Sequence, residues 1–269
     1  HICFSSKELQ EVIYQDAKAF LSGEPAASRG LKRWRFHKLP FFNIMPNDSM
    51  ARCRCPGCWP HFQDEQLYRR QKTPEAIAAK HKAGLFLWHW KLEIANRLKR
   101  EGIEGYVPMM AYDLATIIPD EDIPDNVVLQ VATTGPWNEV RPAAQAEGDQ
   151  LLHDWRAKLG GKVYLWNYAT KLSLKSLPLL PNSTPESVGR YYARNAKHTW
   201  GTFFECETDY RIFNHLNLYV FSRLMWDTGS DYQAILADYY QSMYGAAAAT
   251  MQEFFQTLEK HWLIDCFNN

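Results

Sequence analysis

Polar and charged side chains follow several apolar runs of the sequence, at points where a strand would end. The apolar run at residues 41–45 breaks at Pro46, and Asn47 and Asp48 follow directly. A parallel strand is apolar on both faces, and α/β proteins place their chemistry at the carboxyl ends of such strands. Asp48 is therefore the first candidate for a functional residue. Later predicted strand ends add Tyr112, Asp113, Trp166, Asn167, Tyr168, Glu205 and Glu207.

Carboxylates beside aromatic rings are suited to the hydrolysis of a glycosidic bond. That reaction needs an acid that protonates the leaving oxygen, and an anionic or nucleophilic group that supports the positive charge at the sugar carbon. Flat rings with a polar edge suit sugar faces, and aromatic residues make up 14% of the chain. The candidate catalytic residues are Asp48, Glu205 and Glu207. The candidate substrate-binding residues are Asn47, Tyr112, Asp113, Trp166, Asn167 and Tyr168.

The same residues also have a structural interpretation, which the sequence leaves open. Asp48 would cap the turn that follows it, and Glu207 would be a solvated loop charge. The aromatic residues would then form a large core instead of a sugar-binding cleft. The distance between the carboxylates in the folded protein is what would separate the two interpretations.

The cysteines form a second candidate site. Cys53, Cys55 and Cys58 follow Asp48 with the spacing C-x-C-x-x-C, and Cys3 lies just past another predicted strand end. Four thiolates on one rim can bind a structural zinc ion. Two disulfides are the alternative if the protein is exported, and free thiols are the third interpretation. The C-x-C spacing differs from the usual paired C-x-x-C knuckle, so the sequence does not decide between them.

Composition and motifs exclude several other classes of function. Thirty basic and thirty acidic residues cancel, so the chain has no electrostatic signature of nucleic-acid binding. Apolar runs all fall short of the ~20 residues of a membrane span. The sequence contains no G-x-S-x-G elbow, glycine-rich phosphate loop or H-E-x-x-H pair. We therefore expect no nucleic-acid partner, no membrane span and no cofactor for catalysis, with structural zinc as the one candidate ion.

Strands and helices alternate along the sequence, which predicts a parallel sheet with right-handed crossovers. Both Thr-Pro-Glu tripeptides, at residues 73–75 and 184–186, have the cap, proline and acid typical of a helix start. The crossover after the strand at 105–112 is too short for a helix. Strands are predicted at residues 2–4 (only the end of a strand), 41–45, 105–112, 126–133, 162–168 and 200–205. Helices are predicted at residues 5–21 (with Ser as the cap), 73–99, 151–159, 184–198, 212–225, 231–243 and 246–262.

Four segments together resemble a known bacterial family, the domain of unknown function 4838. They are PND followed by C-x-C-x-x-C at residues 46–58, KVYLWNYA at 162–169, LPN at 180–182, and LMWDTGSDYQAILADYYQSMYGAAAATMQEF at 224–254. Part of that group is classified as glycoside hydrolase family 163. The resemblance implies a (β/α)8 barrel that is distantly related to β-hexosaminidases and α-glucuronidases. It also implies endo-β-N-acetylglucosaminidase activity on complex N-glycans.

The resemblance further implies a mechanism in which the substrate's own N-acetyl group is the nucleophile. One enzyme carboxylate orients that group and another is the general acid. Asp48 matches the family's PND position and Glu205 matches a frequent acidic residue near the last strand end. The sequence does not assign the two roles between them.

We therefore expect an α/β fold that is the C-terminal portion of a (β/α)8 TIM barrel, about five to six strands, with additional C-terminal helices. Residues 1–228 would form the partial glycoside hydrolase-like barrel, and residues 229–269 a helical extension packed on it. A closed barrel needs roughly two more strands before His1. The chain has no initiator Met, so we expect preceding sequence. If a missing strand carries part of the site, this chain alone is inactive.

The expected function is a retaining glycoside hydrolase whose partner is an oligosaccharide or glycan that contains N-acetylglucosamine. The alternatives are a non-catalytic carbohydrate-binding barrel and an α-glucuronidase-like hydrolase with a cationic pocket. For the hydrolase we expect an extracytoplasmic location, periplasmic or secreted, although the chain contains no signal peptide.

Overall fold

The structure is a computed structural model, and it describes residues 2–35, 38–45, 52–170, 183–206 and 211–266. The chain divides into two compact units, a first unit at His1–Val131 and a second unit at Ala132–Asn269. None of the helices in the described ranges is both long enough and apolar enough to cross a membrane.

The first unit is built around one long helix. Its helices are α1 (Lys7–Leu21), α2 (Trp59–Phe62), α3 (Glu65–Arg70) and α4 (Pro74–Arg100), and its strands are β1 (Val107–Ala111) and β2 (Val127–Ala132). Thr73 caps α4 by accepting a hydrogen bond from the backbone N–H of Ala76, and Pro74 occupies the first helical position. The predicted start of this helix is therefore confirmed.

Strand β1 is buried along its whole length and pairs in parallel with β2. The predicted strand at residues 41–45 is an extended segment beside β1, where Phe41 forms a parallel bridge with Tyr106 and the Phe42 N–H donates to the Tyr106 carbonyl. A 3-10 helix, Asp113–Thr116, stands between β1 and β2 in place of an α-helix. The prediction of a crossover without an α-helix is thus confirmed.

The predicted strand end at residues 2–4 is wrong. The backbone N–H of Ser6 donates to the carbonyl of Cys3 at 3.1 Å, which closes a turn. Ser6 then accepts from the N–H of Leu9 as the cap of α1. Ser6 itself has extended backbone, as an N-cap residue does, so the chain passes from this turn directly into α1.

The second unit contains β3 (Val163–Thr170) and β4 (Thr199–Cys206), which pair in parallel. Its helices are α5 (Pro142–Leu159), α6 (Pro185–Asn195), α7 (Arg211–Trp226), α8 (Tyr232–Tyr244) and α9 (Ala248–Lys260), followed by a π-helical turn at His261–Cys266. Helix α5 begins at Pro142, and the predicted start at residue 151 is too late. Residues 142–150 have little apolar pattern, since the buried residues of this helix, Leu152 and Trp155, both lie in its second half.

Parallel strands connected by helices confirm the α/β class. Closure into a (β/α)8 barrel and the boundary between residues 228 and 229 stay predictions. The core of the second unit is rich in aromatic residues: Trp155, Tyr192, Tyr240 and Trp262 are all at most 1% exposed. Much of the aromatic content of the sequence therefore stabilises the core.

Candidate functional site

Three of the predicted site residues, Asn47, Asp48 and Glu207, lie outside the described residues. Their proposed roles stay predictions. The other candidates fall in two places, because Tyr112 and Asp113 belong to the first unit and Trp166, Asn167, Tyr168 and Glu205 belong to the second.

Glu205 and Trp166 contact each other on one face of the β3–β4 pair. The indole N–H of Trp166 donates to the Glu205 carboxylate at 2.8 Å. The Trp166 ring also packs on the ring of Phe203, with 4.0 Å between their centroids. Phe203 is 48% exposed, so this aromatic surface is open to a ligand. A carboxylate is therefore held beside an accessible pair of aromatic rings near the carboxyl end of β4.

The strand register explains why these side chains meet. Trp166 is paired with Phe203 and Tyr168 with Glu205 across the two strands. Successive side chains of a strand point to opposite faces, so these paired residues share one face. Leu165 alternates with them and is buried on the other face. Local sequence thus fixes which face carries the polar and aromatic set.

Asn167 points away from that surface and is fully buried. Its amide nitrogen lies 2.9 Å from the hydroxyl oxygen of Thr133, and its carbonyl oxygen accepts from the Tyr192 hydroxyl at 2.9 Å. The Tyr191 hydroxyl lies 3.3 Å from the same nitrogen, and burial raises the pKa of Tyr191 to about 12. These contacts give Asn167 a structural role, which is to join β3 to α6 through a satisfied buried network.

Gly135 makes that network sterically feasible. It has a positive φ of 73°, and a Cβ atom at this position would lie 2.9 Å from the Asn167 side-chain amide. A glycine meets both the conformational and the spatial requirement here.

Asp113 lies two residues after the end of β1 and is held by two arginines. Its carboxylate accepts from Arg52 at 2.7 Å and from Arg69 at 3.3 Å, and Glu65 in turn pairs with Arg69 at 2.8 Å. The backbone of Asp113 has a φ of 53°, a left-handed conformation that few non-glycine residues adopt. Tyr68 lies in the same group, and burial raises its pKa to about 12.

Sequence reasoning missed Arg52 and Arg69, although the α-glucuronidase alternative required such residues at a strand end. Both guanidinium groups are compensated by carboxylates in this structure. Arg52 directly precedes Cys53, which is the signal in the sequence that could have drawn attention to it. Tyr112, the neighbouring candidate, is half-buried at the end of β1.

The four predicted cysteines do come together. The Sγ atoms of Cys3, Cys53, Cys55 and Cys58 all lie within 4.8 Å of one another, and all four cysteines are free. Cys3 Sγ is 3.6 Å from Cys55 Sγ and 3.9 Å from Cys58 Sγ. Cys58 is fully buried and Cys53 is 9% exposed. This cysteine cluster has the ligand types and the proximity to hold a metal ion.

The thiols of the cluster occupy different electrostatic surroundings. Hydrogen bonds from the Ser5 hydroxyl and from the backbone of Cys58 lower the pKa of Cys55 to about 6. Burial raises the pKa of Cys58. The hydroxyl oxygen of Ser5 lies 3.2 Å from Cys55 Sγ and 3.4 Å from Cys58 Sγ. The Cys58 thiol donates to the Ser5 hydroxyl, so Ser5 is hydrogen-bonded within the cluster.

Comparison with known proteins gives a family but no characterised relative. No curated protein and no solved structure matches the chain. The model of one family, described as a domain of unknown function (DUF4838), matches residues 1–256. The match covers most of the chain and includes β1 to β4 together with the cysteine cluster. The chain therefore belongs to the DUF4838 family.

Proposed function

We propose that the chain is part of a glycoside hydrolase that cleaves glycans containing N-acetylglucosamine, similar to the endo-β-N-acetylglucosaminidases of glycoside hydrolase family 163. One observation carries the proposal: Glu205 is fixed by the Trp166 indole beside the open Trp166–Phe203 surface at the end of a parallel strand. This arrangement is consistent with the (β/α)8 barrel that the resemblance implies, in which strand ends carry the chemistry.

The aromatic surface would bind one face of a sugar ring, because C–H groups of the sugar pack on the apolar faces of Trp166 and Phe203. Glu205 lies at the edge of that surface, where it would meet the polar groups of the ring. In a retaining mechanism with an N-acetyl nucleophile, one carboxylate orients the N-acetyl group and a second protonates the leaving oxygen. Glu205 would take one of these roles, and Asp48 or Glu207 would take the other.

This chemistry requires no metal. An ion at the cysteine cluster, which we propose to be zinc, would be structural because four protein ligands leave no open position for a substrate. We propose an extracytoplasmic location, periplasmic or secreted, as expected for an enzyme that degrades glycans.

The experiment compares variants of the protein on an aryl N-acetyl-β-glucosaminide and on a glycoprotein that carries complex N-glycans. In Glu205→Gln we expect kcat to fall by about 10²–10⁴-fold, the usual contribution of a positioned acid or base, while glycan binding measured by calorimetry is retained. In Trp166→Phe a smaller aromatic ring remains but the indole N–H donor is lost. We therefore expect a smaller decrease in kcat, about 10-fold, from misorientation of the carboxylate.

Trp200→Phe is the matched control, because Trp200 is another exposed aromatic residue of β4, 67% exposed, near the opposite end of the strand. It should keep the activity of the parent protein. Circular dichroism verifies that each variant is folded. All variants are made in the full-length parent protein. Full activity in both Asp48→Asn and Glu205→Gln would exclude the proposed carboxylates, and a full-length parent without turnover on either substrate would exclude the hydrolase.

A carbohydrate-binding barrel is the second candidate. Of the three predicted catalytic carboxylates, Glu205 is the one within the described residues, and Asp113 is already paired with Arg52 and Arg69. The calorimetric measurement separates the two functions: glycan binding that Trp166→Ala abolishes, without turnover by the parent protein, indicates a binding module. Turnover of an aryl glucuronide would instead indicate the α-glucuronidase-like alternative, for which Arg52 and Arg69 are the cationic groups.

A further inference from the structure

We infer that Cys3, Cys53, Cys55 and Cys58 bind one zinc ion, and that this ion holds the loop before α2 so that Arg52 meets Asp113 at the end of β1. The inference is independent of the proposed glycosidase activity. It depends on the geometry of the sulfur atoms, on the turn that carries two of them, and on the packing that joins the cluster to Asp113.

The sulfur distances match ligands around a shared ion. A zinc–thiolate bond of about 2.3 Å in tetrahedral geometry places neighbouring sulfur atoms about 3.8 Å apart. The measured distances from Cys3 Sγ are 3.6 Å to Cys55 and 3.9 Å to Cys58, with all four sulfurs within 4.8 Å. A disulfide requires sulfur atoms about 2.05 Å apart. The distances from Cys3 Sγ to Cys55 Sγ and to Cys58 Sγ therefore match those between ligands of a tetrahedral ion.

The turn from Cys55 to Cys58 brings two of the four sulfur atoms close together. The backbone N–H groups of Cys58 and Trp59 both donate to the carbonyl of Cys55, at 3.1 and 2.9 Å. A Cβ atom on Gly57 would lie 2.6 Å from the Ser5 side chain. Glycine at this position therefore lets the segment that carries Cys3 approach the turn.

Ser5 provides the second shell of the proposed site. Its hydroxyl lies 3.2 Å from Cys55 Sγ, 3.4 Å from Cys58 Sγ and 3.5 Å from Cys3 Sγ. A hydroxyl that donates to a metal-bound thiolate stabilises the negative charge on sulfur and orients the ligand. Ser5 contacts three of the four sulfur atoms, and in a metal-bound cluster its one hydroxyl proton could be donated to a thiolate among them.

Apolar side chains exclude solvent from the side of the cysteine cluster that faces the protein core. Cys53 and Cys58 pack in one apolar group with Phe62, Leu87 and Leu114. Four protein ligands and a dry inner face are the features of a closed structural zinc site. Arg54 directly follows Cys53 in the sequence, and its positive charge would offset part of the net double negative charge of a zinc tetrathiolate.

The same packing connects the cluster to the end of β1. Leu114 belongs to the apolar group of the cysteines and directly follows Asp113. Arg52 directly precedes Cys53, and it donates to the Asp113 carboxylate at 2.7 Å. Fixing Cys53 therefore fixes Arg52, and the ion pair holds the left-handed backbone of Asp113 in place. The zinc ion would thus position a strand-end carboxylate 60 residues away from Cys53 along the chain.

The test begins with metal analysis of the full protein, purified without a metal-affinity step. We expect about one zinc per chain, and less than about one tenth of that in Cys58→Ser. Cys266→Ser is the control, and it should retain the metal. Substitution of cobalt for zinc should give the charge-transfer absorption of a cobalt–thiolate site. Zinc-free protein with four reactive thiols, or with disulfides in the non-reduced mass spectrum, overturns the inference.

A second measurement keeps the test valid if Cys58→Ser does not fold. Thiol modification of the parent protein should release zinc in step with the loss of cysteines. Hydrogen exchange should then increase at residues 52–70 and 113–116, with β3 and β4 unchanged. Zinc release that leaves exchange at 113–116 unchanged would refute the positioning of Asp113, whereas glycosidase activity does not enter either readout.

Discussion

Lys91 is a buried cation in the longest helix, and its replacement should have a pH-dependent effect on stability. The residue is 5% exposed on the inner side of α4. Its ammonium group lies 5.1 Å from the centroid of the Trp88 ring. Burial lowers the pKa of Lys91 from 10.5 to about 8, since the charged form loses its hydration.

The sign and size of the effect follow from proton linkage. The unfolded chain keeps its proton up to about pH 10.5, whereas the folded protein releases it near pH 8. Between these values the unfolded state binds more protons, so the free energy of unfolding rises with pH across this window. At about 1.4 kcal/mol for each pH unit, the buried charge costs about 3 kcal/mol at pH 7, and most of this cost is gone at pH 10.

The perturbation is Lys91→Met, which keeps an unbranched chain of similar length without the charge. The pKa is a net property of the charged form and therefore already contains its contact with Trp88, so we expect a gain of about 3 kcal/mol at pH 7. At pH 10 the gain should fall below about 1 kcal/mol. The assay is urea denaturation of the parent and the variant at both pH values, which gives the free energies of unfolding.

The control is Lys82→Met, because Lys82 is exposed on the same helix. It should change the free energy of unfolding by less than about 0.5 kcal/mol at both pH values. A Lys91→Met variant whose stability relative to the parent is the same at pH 7 and pH 10 would refute a lowered pKa at this position. A variant less stable than the parent at pH 7 would show that the ammonium group is stabilised in the fold.

Further predictions concern residues whose packing the structure defines. Gly84→Ala should lower the free energy of unfolding by about 1–3 kcal/mol, because the new Cβ would lie 2.6 Å from a backbone oxygen of the 3-10 helix after β1. Gly148→Ala, in the open part of α5, should instead raise it by about 0.5–1 kcal/mol; equal effects in urea denaturation would contradict this reasoning. Asn167→Ala should lower the free energy of unfolding by about 2–4 kcal/mol, because the buried Tyr192 hydroxyl loses the acceptor of its hydrogen bond, and a thermal melt within about 2 °C of the parent would contradict it. Glu259→Ala should cost about 3 kcal/mol, because this buried carboxylate accepts two backbone N–H groups at the start of α6, at 2.9 and 2.8 Å. Glu253→Ala, exposed on the same helix, is its control in the same denaturation series, and an equal loss in both would argue against the capping role.

Local signals in the sequence were sufficient to predict those helices and strands whose structure depends on neighbouring residues. The start of α4 follows from Thr73-Pro74-Glu75, since a cap and a proline act within one turn of helix. The strands at 105–112 and 162–168 follow from continuous apolar runs between turn residues. Where the pattern is weak, prediction fails: the first half of α5 is largely exposed, and the helix therefore begins nine residues before its predicted start.

In the candidate site too, local sequence predicts some features and only tertiary contacts determine the others. Alternation along β3 is local, and it places Trp166 and Asn167 on opposite faces, although the sequence alone suggested both as substrate-binding residues. Only the parallel pairing with β4 shows that Trp166 contacts Glu205. Only the contact with α6 shows that Asn167 is fully buried.

The sequence by itself determined the α/β class, most helix starts, the family, and the residue types that can do chemistry at strand ends and in the cysteine cluster. Tertiary structure decided which of these residues meet. Cys3 joins cysteines that lie 50 or more residues away, and Arg52 and Arg69 close on Asp113 from two different segments. The physical reason is that hydrogen bonds within a helix or turn depend on adjacent residues. Contacts between distant segments depend on how whole elements pack, and no short stretch of sequence encodes that packing.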